Sequence, residues 1–136
     1  MRIGIGDYGD VEAEATAYTL VLYEQEFGGA DLIADVFGRH EANGSDGGTV
    51  TVDFTSDNWT AELRALWAMV RTAYDIRFDR GDAAPNDRPK PFDEWVKGVG
   101  RCNMRDISAA IVSECIDGFF RPRGDSSEKE TVSGAL

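Results

Sequence analysis

Residues 57–74 read DNWTAELRALWAMVRTAY, and they decide what kind of fold this chain can have. Trp59, Leu63, Leu66, Trp67, Val70 and Tyr74 recur at the spacing that gathers side chains on one face of a helix. Arg64 and Arg71 fall on other faces, and Ser56 or Asp57 is placed to cap the first free amides. An apolar stripe carrying two tryptophans must be covered by other elements. Trp59 and Trp67 are therefore expected to pack deeply, each costing about 3–5 kcal/mol if cut to alanine.

The flanking sequence supplies the cover. Upstream, VEAEATAYTLVLYEQEF (11–27) sets Thr16, Leu20, Tyr23 and Phe27 on one helical stripe, although its β-branched and aromatic middle leaves a strand open for 18–23. Gly28-Gly29 interrupts it, and ADLIADVF (30–37) follows as a short helix with Leu32, Ile33, Val36 and Phe37 on one side. GRHEANGSDGG (38–48) is loop by composition, whereas TVTVDF (49–54) alternates Val50, Val52 and Phe54 with polar residues as a strand does. Its expected partner is RIGI (2–5), giving one small ribbon that must lean on helices.

Downstream, RFDRGDAAPNDRPKP (77–91) is a long charged loop, either mobile or functional. Pro91 then opens a short helix, FDEWVKGV. In NMRDISAAIVSECIDGFF, Asn103 is the cap. Met104, Ile107, Ile111 and Cys115 form one stripe, and Val112, Ile116, Phe119 and Phe120 another. The expected fold class is mainly α: a small bundle of about five helices with a minor two-stranded β element. Residues 1–120 make a single helical domain and 121–136 a flexible C-terminal tail. There is no internal repeat.

Composition narrows the function. With 42% hydrophobic residues among 136, the chain can build a core, which argues against disorder. Its net charge of −11, with the 14 Lys and Arg unclustered, argues against binding a phosphate backbone. The acid is sprinkled, as on a solvated surface, although a nucleic-acid mimic would also be acidic. No apolar run is long enough for a membrane span, and no leader pattern opens the chain. Cys102 and Cys115 read as reduced thiols of a cytoplasmic protein. The tripeptides at Asn43, Asn58 and Arg123 are then chance spellings of glycosylation and adhesion motifs.

Motifs with chemical content are weak. GIGDYG (4–9) spells G-x-G-x-x-G, but only Met1, Arg2 and Ile3 precede it, no second parallel strand follows, and Asp7 and Asp10 would repel a pyrophosphate. It reads instead as a glycine turn from the ribbon strand to the first helix. His40 is the single histidine, with no metal-ligand spacing to either cysteine and no nucleophile turn to serve. Asp7, Asp10 and Glu12 miss the calcium-loop template, and Glu12, Glu14, Glu24 and Glu26 look like an acidic helix rim. No enzyme activity, cofactor or metal is expected. What remains is apolar bulk on short helices. Trp95, Phe119 and Phe120 are the candidate partner-binding residues, because neighbours such as Phe119 and Phe120 cannot face the same way on a helix.

The order of elements resembles that of the tail assembly chaperones of long-tailed bacteriophages. The resemblance runs over about residues 15–120. It rests on Tyr23 to Phe27 in the first helix, Leu32-Ile33, Trp67-Ala68-Met69, and Pro91 with Phe92 to Trp95, ahead of a final amphipathic helix. RIGIGDYG (2–9) is outside the pattern. The resemblance implies a non-catalytic helical protein of the bacterial host cytoplasm, phage- or prophage-encoded. It would coat the tape measure protein, assist tail tube subunits to assemble around it, and self-associate along that filament. It also implies a longer frameshifted form, for which 121–136 would be the extension point. The rival reading is an acidic inhibitor, or nucleic-acid mimic, that occupies the basic cleft of a host enzyme.

Overall fold

A computed structural model describes residues 1–41, 50–52 and 58–121. In chain order they form β1 (Arg2–Gly4), β2 (Asp10–Glu12), α1 (Ala17–Glu26), α2 (Leu32–Phe37), β3 (Arg39–Glu41), β4 (Val50–Val52), α3 (Trp59–Asp79), α4 (Phe92–Val99) and α5 (Met104–Phe119). The fold is mainly α, with five helices and small antiparallel ribbons. Beyond Arg121, the expected tail lies outside the described residues.

The opening stretch becomes α3, the hub on which α1, α2, α4 and α5 all pack. Its burial exceeds a single stripe, because every residue from Ala65 to Val70 is buried. The large apolar residues mark one face, and Ala61, Ala65, Ala68 and Ala73 let neighbouring helices approach the others. Trp67 is 2% exposed, and its indole Nε1 donates to Lys90 O at 2.8 Å. Trp59 departs from expectation: at the first helical position it is 38% exposed. The cap is Asn58, whose Oδ1 accepts from Ala61 N at 3.1 Å, in place of the expected Ser56 or Asp57.

Two carbonyls in the middle of α3 accept extra hydrogen bonds and so fix the segment that enters α1. Met69 O accepts from Glu14 N at 3.0 Å, and Ala68 O from Thr72 Oγ1 at 2.7 Å. Thr72 in turn meets Thr19 at 2.7 Å, so each of these two buried hydroxyls has a partner. Helix α1 starts with a reciprocal cap: Thr16 Oγ1 accepts from Tyr18 N, and Thr16 N donates to Thr19 Oγ1. It begins six residues after Val11, since 10–12 belong to β2 and not to the helix.

The ribbon pairing also differs from expectation. β1 pairs with β2, with Ile3 opposite Val11, while β4 pairs with β3, with Thr51 opposite His40. β1 and β4 each pair with the strand nearest to them in sequence, at a lower entropic cost than a ribbon across the domain, and the rest of TVTVDF lies outside the described residues. GIGDYG is thus a hairpin connection, and its link to a first helix is not formed.

The glycines of that connection solve a packing problem. Gly6 has φ +50°, and a Cβ there would lie 1.9 Å from Val99 O at the end of α4. Gly98 and Gly100 answer from the other side, since Cβ atoms there would meet Tyr8 Oη at 2.2 Å and Asp7 Oδ2 at 2.4 Å. At Gly6 backbone touches backbone, and at Gly98 and Gly100 the backbone of α4's end receives the Tyr8 and Asp7 side chains.

Two stability tests follow, both read by urea denaturation. Trp67→Ala should lose about 3–5 kcal/mol, and Trp59→Ala less than about 1 kcal/mol. Gly6→Ala should cost more than Gly9→Ala. Both strain the backbone by about 1–3 kcal/mol, but Gly9 has open space where a Cβ would stand and Gly6 does not.

Candidate functional site

The three expected partner residues fall in different environments. Trp95 is 4% exposed. Its ring stacks on Tyr8 with centroids 5.7 Å apart, and Tyr8 Oη donates to Trp95 O at 2.8 Å. Phe92, Trp95 and Val99 are the buried face of α4, so Trp95 is core and not surplus surface. Phe119 is half-buried against the core, and Phe120 is 37% exposed. Phe120 meets Phe37 of α2 edge-on at 5.4 Å. The pair diverges as helical spacing requires, and the outer member reaches α2.

A second apolar surface lies at the other side of α2, where sequence reasoning did not place one. Leu20 and Val21 of α1, with Ala30, Leu32 and Ile33, line a groove of about 420 Å³. Val21 is 45% exposed, and Tyr18, one turn earlier on α1, is 43% exposed. Glu24 and Asp31 line the same groove, so its apolar floor carries carboxylates. A signal existed in the sequence: LVLY (20–23) is a run of four apolar residues, and a helix covered on one side only leaves one of them facing outward.

The walls of this groove are fixed by polar bonds. Gly28 and Gly29, at φ +67° and +88°, turn the chain after α1. Asp31 Oδ1 accepts from Ile33 N and Ala34 N and so starts α2. Tyr23 Oη donates to Asp35 Oδ2 at 2.8 Å and ties α2 to α1, and burial, followed by that carboxylate, raises the phenol pKa. On the outer face, Tyr18 Oη donates to Asp75 Oδ2 at 2.5 Å, and Arg71 Nε donates to the other oxygen at 3.1 Å. That hydrogen bond is the first cause raising the pKa of Tyr18, with burial second.

Of the expected acidic rim, Glu14 and Glu24 are exposed, whereas Glu12 and Glu26 take structural tasks. Glu12 lies in β2 and accepts from Arg2 at 2.8 Å. Glu26 Oε2 accepts from Phe92 N at 2.8 Å, capping α4 where Pro91 offers no side-chain oxygen. Glu114 of α5 accepts from Ala15 N at 3.2 Å. Ser108 of α5 donates to the fully buried Glu62 of α3. These carboxylates hold elements together. His40 lies on β3 opposite Thr51. Among the described residues no group of His, Cys, Asp and Glu could hold a metal ion, and no helix is long and apolar enough to cross a membrane.

No family model, curated protein or solved structure matches this chain.

Cys115 offers a chemical check on the core. Burial, with lesser contributions from Glu114 and Glu62, pushes its thiol up to about 12 from 9.0. Alkylation at mildly alkaline pH should leave Cys115 intact in the folded chain and modify it after unfolding, as peptide mass spectrometry would read. Because the folded-state pKa is the raised one, its stabilising contribution is complete below pH 9 and falls as pH climbs toward 12.

Proposed function

We propose that this chain is a non-catalytic tail assembly chaperone of a long-tailed phage or prophage. It shields the tape measure protein and assists tail tube subunits to assemble around it. The observation that carries the reading is the groove between α1 and α2, with Val21 at 45% exposure and carboxylates beside it. An amphipathic helix can lay an apolar face into such a groove, while basic residues flanking that face meet Glu24 and Asp31. The net charge of −11 supports the same role, because a coat of acidic subunits keeps an otherwise aggregating filament in solution. The order of elements supports it too: the residues that carry the resemblance to this family, Tyr23, Phe27, Trp67, Phe92 and Trp95, form one aromatic cluster around Phe27. In this reading the chaperone acts in the host cytoplasm and self-associates along its client.

The test is co-expression with the tape measure protein of the phage or prophage that encodes the chain. The client should stay soluble with the wild-type chain and sediment as aggregate with Val21→Asp. Circular dichroism of Val21→Asp should match the wild type, because the side chain is outside the core. Aggregation of the client with the wild-type chain would sink the proposal.

A further inference from the structure

A second concavity, remote from the α1–α2 groove, lies where the long connection 80–91 crosses α3 and α4. It measures about 410 Å³ and is walled by Val11, Val70, Tyr74 and Trp95. That is within the range of pockets that hold small molecules, roughly 300–1,000 Å³. Its walls are set before any ligand arrives. Tyr74 Oη donates to Ala84 O at 2.8 Å, and Trp67 Nε1 donates to Lys90 O at the same distance, so the connection is pinned at both ends of its Pro85–Pro89 stretch. Across the cleft, the Tyr8–Trp95 stack and the Tyr8 hydrogen bond hold the hairpin connection against α4.

The charges around this space stand apart from the rest of the acidic chain. Arg77, Arg88 and Lys90 line it, and among the described residues none of them forms an ion pair. Arg77 is half-buried, so its charge gives up part of its hydration without a protein partner to replace it. Three carboxylates line the same cleft: Glu12, Asp87 and Glu94. Glu12 is engaged by Arg2 at 2.8 Å, a cation that Asp10 shares at 3.9 Å. Three cations therefore face two carboxylates outside that pair and one inside it, close to charge balance, and the half-buried Arg77 has no ion-pair partner among the described residues. That arrangement leaves room for one negative charge and not two. A dianion would leave the site with net negative charge inside a chain that already carries −11.

We propose that this cleft binds a small monocarboxylate carried on an apolar body, either a free acid or the C-terminal residue of a peptide. The guanidinium groups take the carboxylate by paired N–H donors, and the aromatic walls take the body. The site is independent of the assembly role proposed above and stands or falls separately from it.

The test uses the full chain, isotope-labelled, with the Trp95 indole and Gly98 amide as NMR reporters. The probes are 3-phenylpropionate, its neutral alcohol analogue, N-acetyl-alanyl-phenylalanine, the amide of that dipeptide, and inorganic phosphate. At least one free carboxylate should shift both reporters saturably, and its uncharged analogue should bind about tenfold more weakly. Whether the acid or the dipeptide binds more tightly identifies the source. Arg77→Gln and Arg88→Gln should each weaken that probe by about three- to tenfold, and the exposed Arg88 provides a variant that leaves the core untouched. Four results would overturn the proposal: no saturable shift with either carboxylate, equal binding of the neutral analogues, equal binding of phosphate, or affinity unchanged in both variants.

Discussion

The burial of α3 on every side between Ala65 and Val70 is the constraint from which the rest of the molecule follows. A helix apolar all round cannot lie on a surface, so the other four helices must enclose it. The large side chains of α3 set where they pack, and its alanines set how closely. The bonds taken by Met69 O and Ala68 O, together with the Thr19–Thr72 contact, give the enclosure a polar register. Dispersion alone would let α1 slide along α3, whereas directional bonds at fixed carbonyls do not.

Trp67 extends this constraint beyond the core. Its ring takes Phe27 edge-on at 5.9 Å and its nitrogen holds Lys90 O, so one side chain joins the end of α1 to the connection before α4. Glu26 then caps α4 from α1. With α4 fixed, Trp95 and Gly98 receive Tyr8, which brings the N-terminal hairpin in. Both surface features follow from these tethers. The acidic groove opens where Gly28-Gly29 turns α1 into α2, and the second, charged cleft opens where 80–91 is stretched between Tyr74 and Trp67.

Much of this was legible from spacing. The positions of α2, α4 and α5, the cap at Asn103, the inward stripe Ile107–Ile111–Cys115 and the start of α4 after Pro91 all follow from local preference and helical period, whereas Thr16, read as a stripe residue, is the cap of α1. The surfaces were harder to read. Trp95 looked like spare bulk because an eight-residue helix gives no hint of what covers it, and its partner is Tyr8, far away along the chain. Val21 passed unmarked because a stripe drawn through Leu20 and Tyr23 says nothing about the residue between them. Glu26 and Glu12 looked like solvated rim because a carboxylate's partner cannot be told from its own position.

From the chain by itself come the helix hub, the number and order of helices, the Asn103 cap and the acidic character. All of these depend on interactions within about one or two turns, or on composition alone. Tertiary structure alone decided which strands pair, that Trp95 is core and Trp59 is not, and that GIGDYG is a hairpin docked on α4. It alone also decided where apolar and charged side chains meet to make a groove and a cleft. Those outcomes turn on which distant segments compete for the same space, and that competition leaves no periodic trace in the sequence.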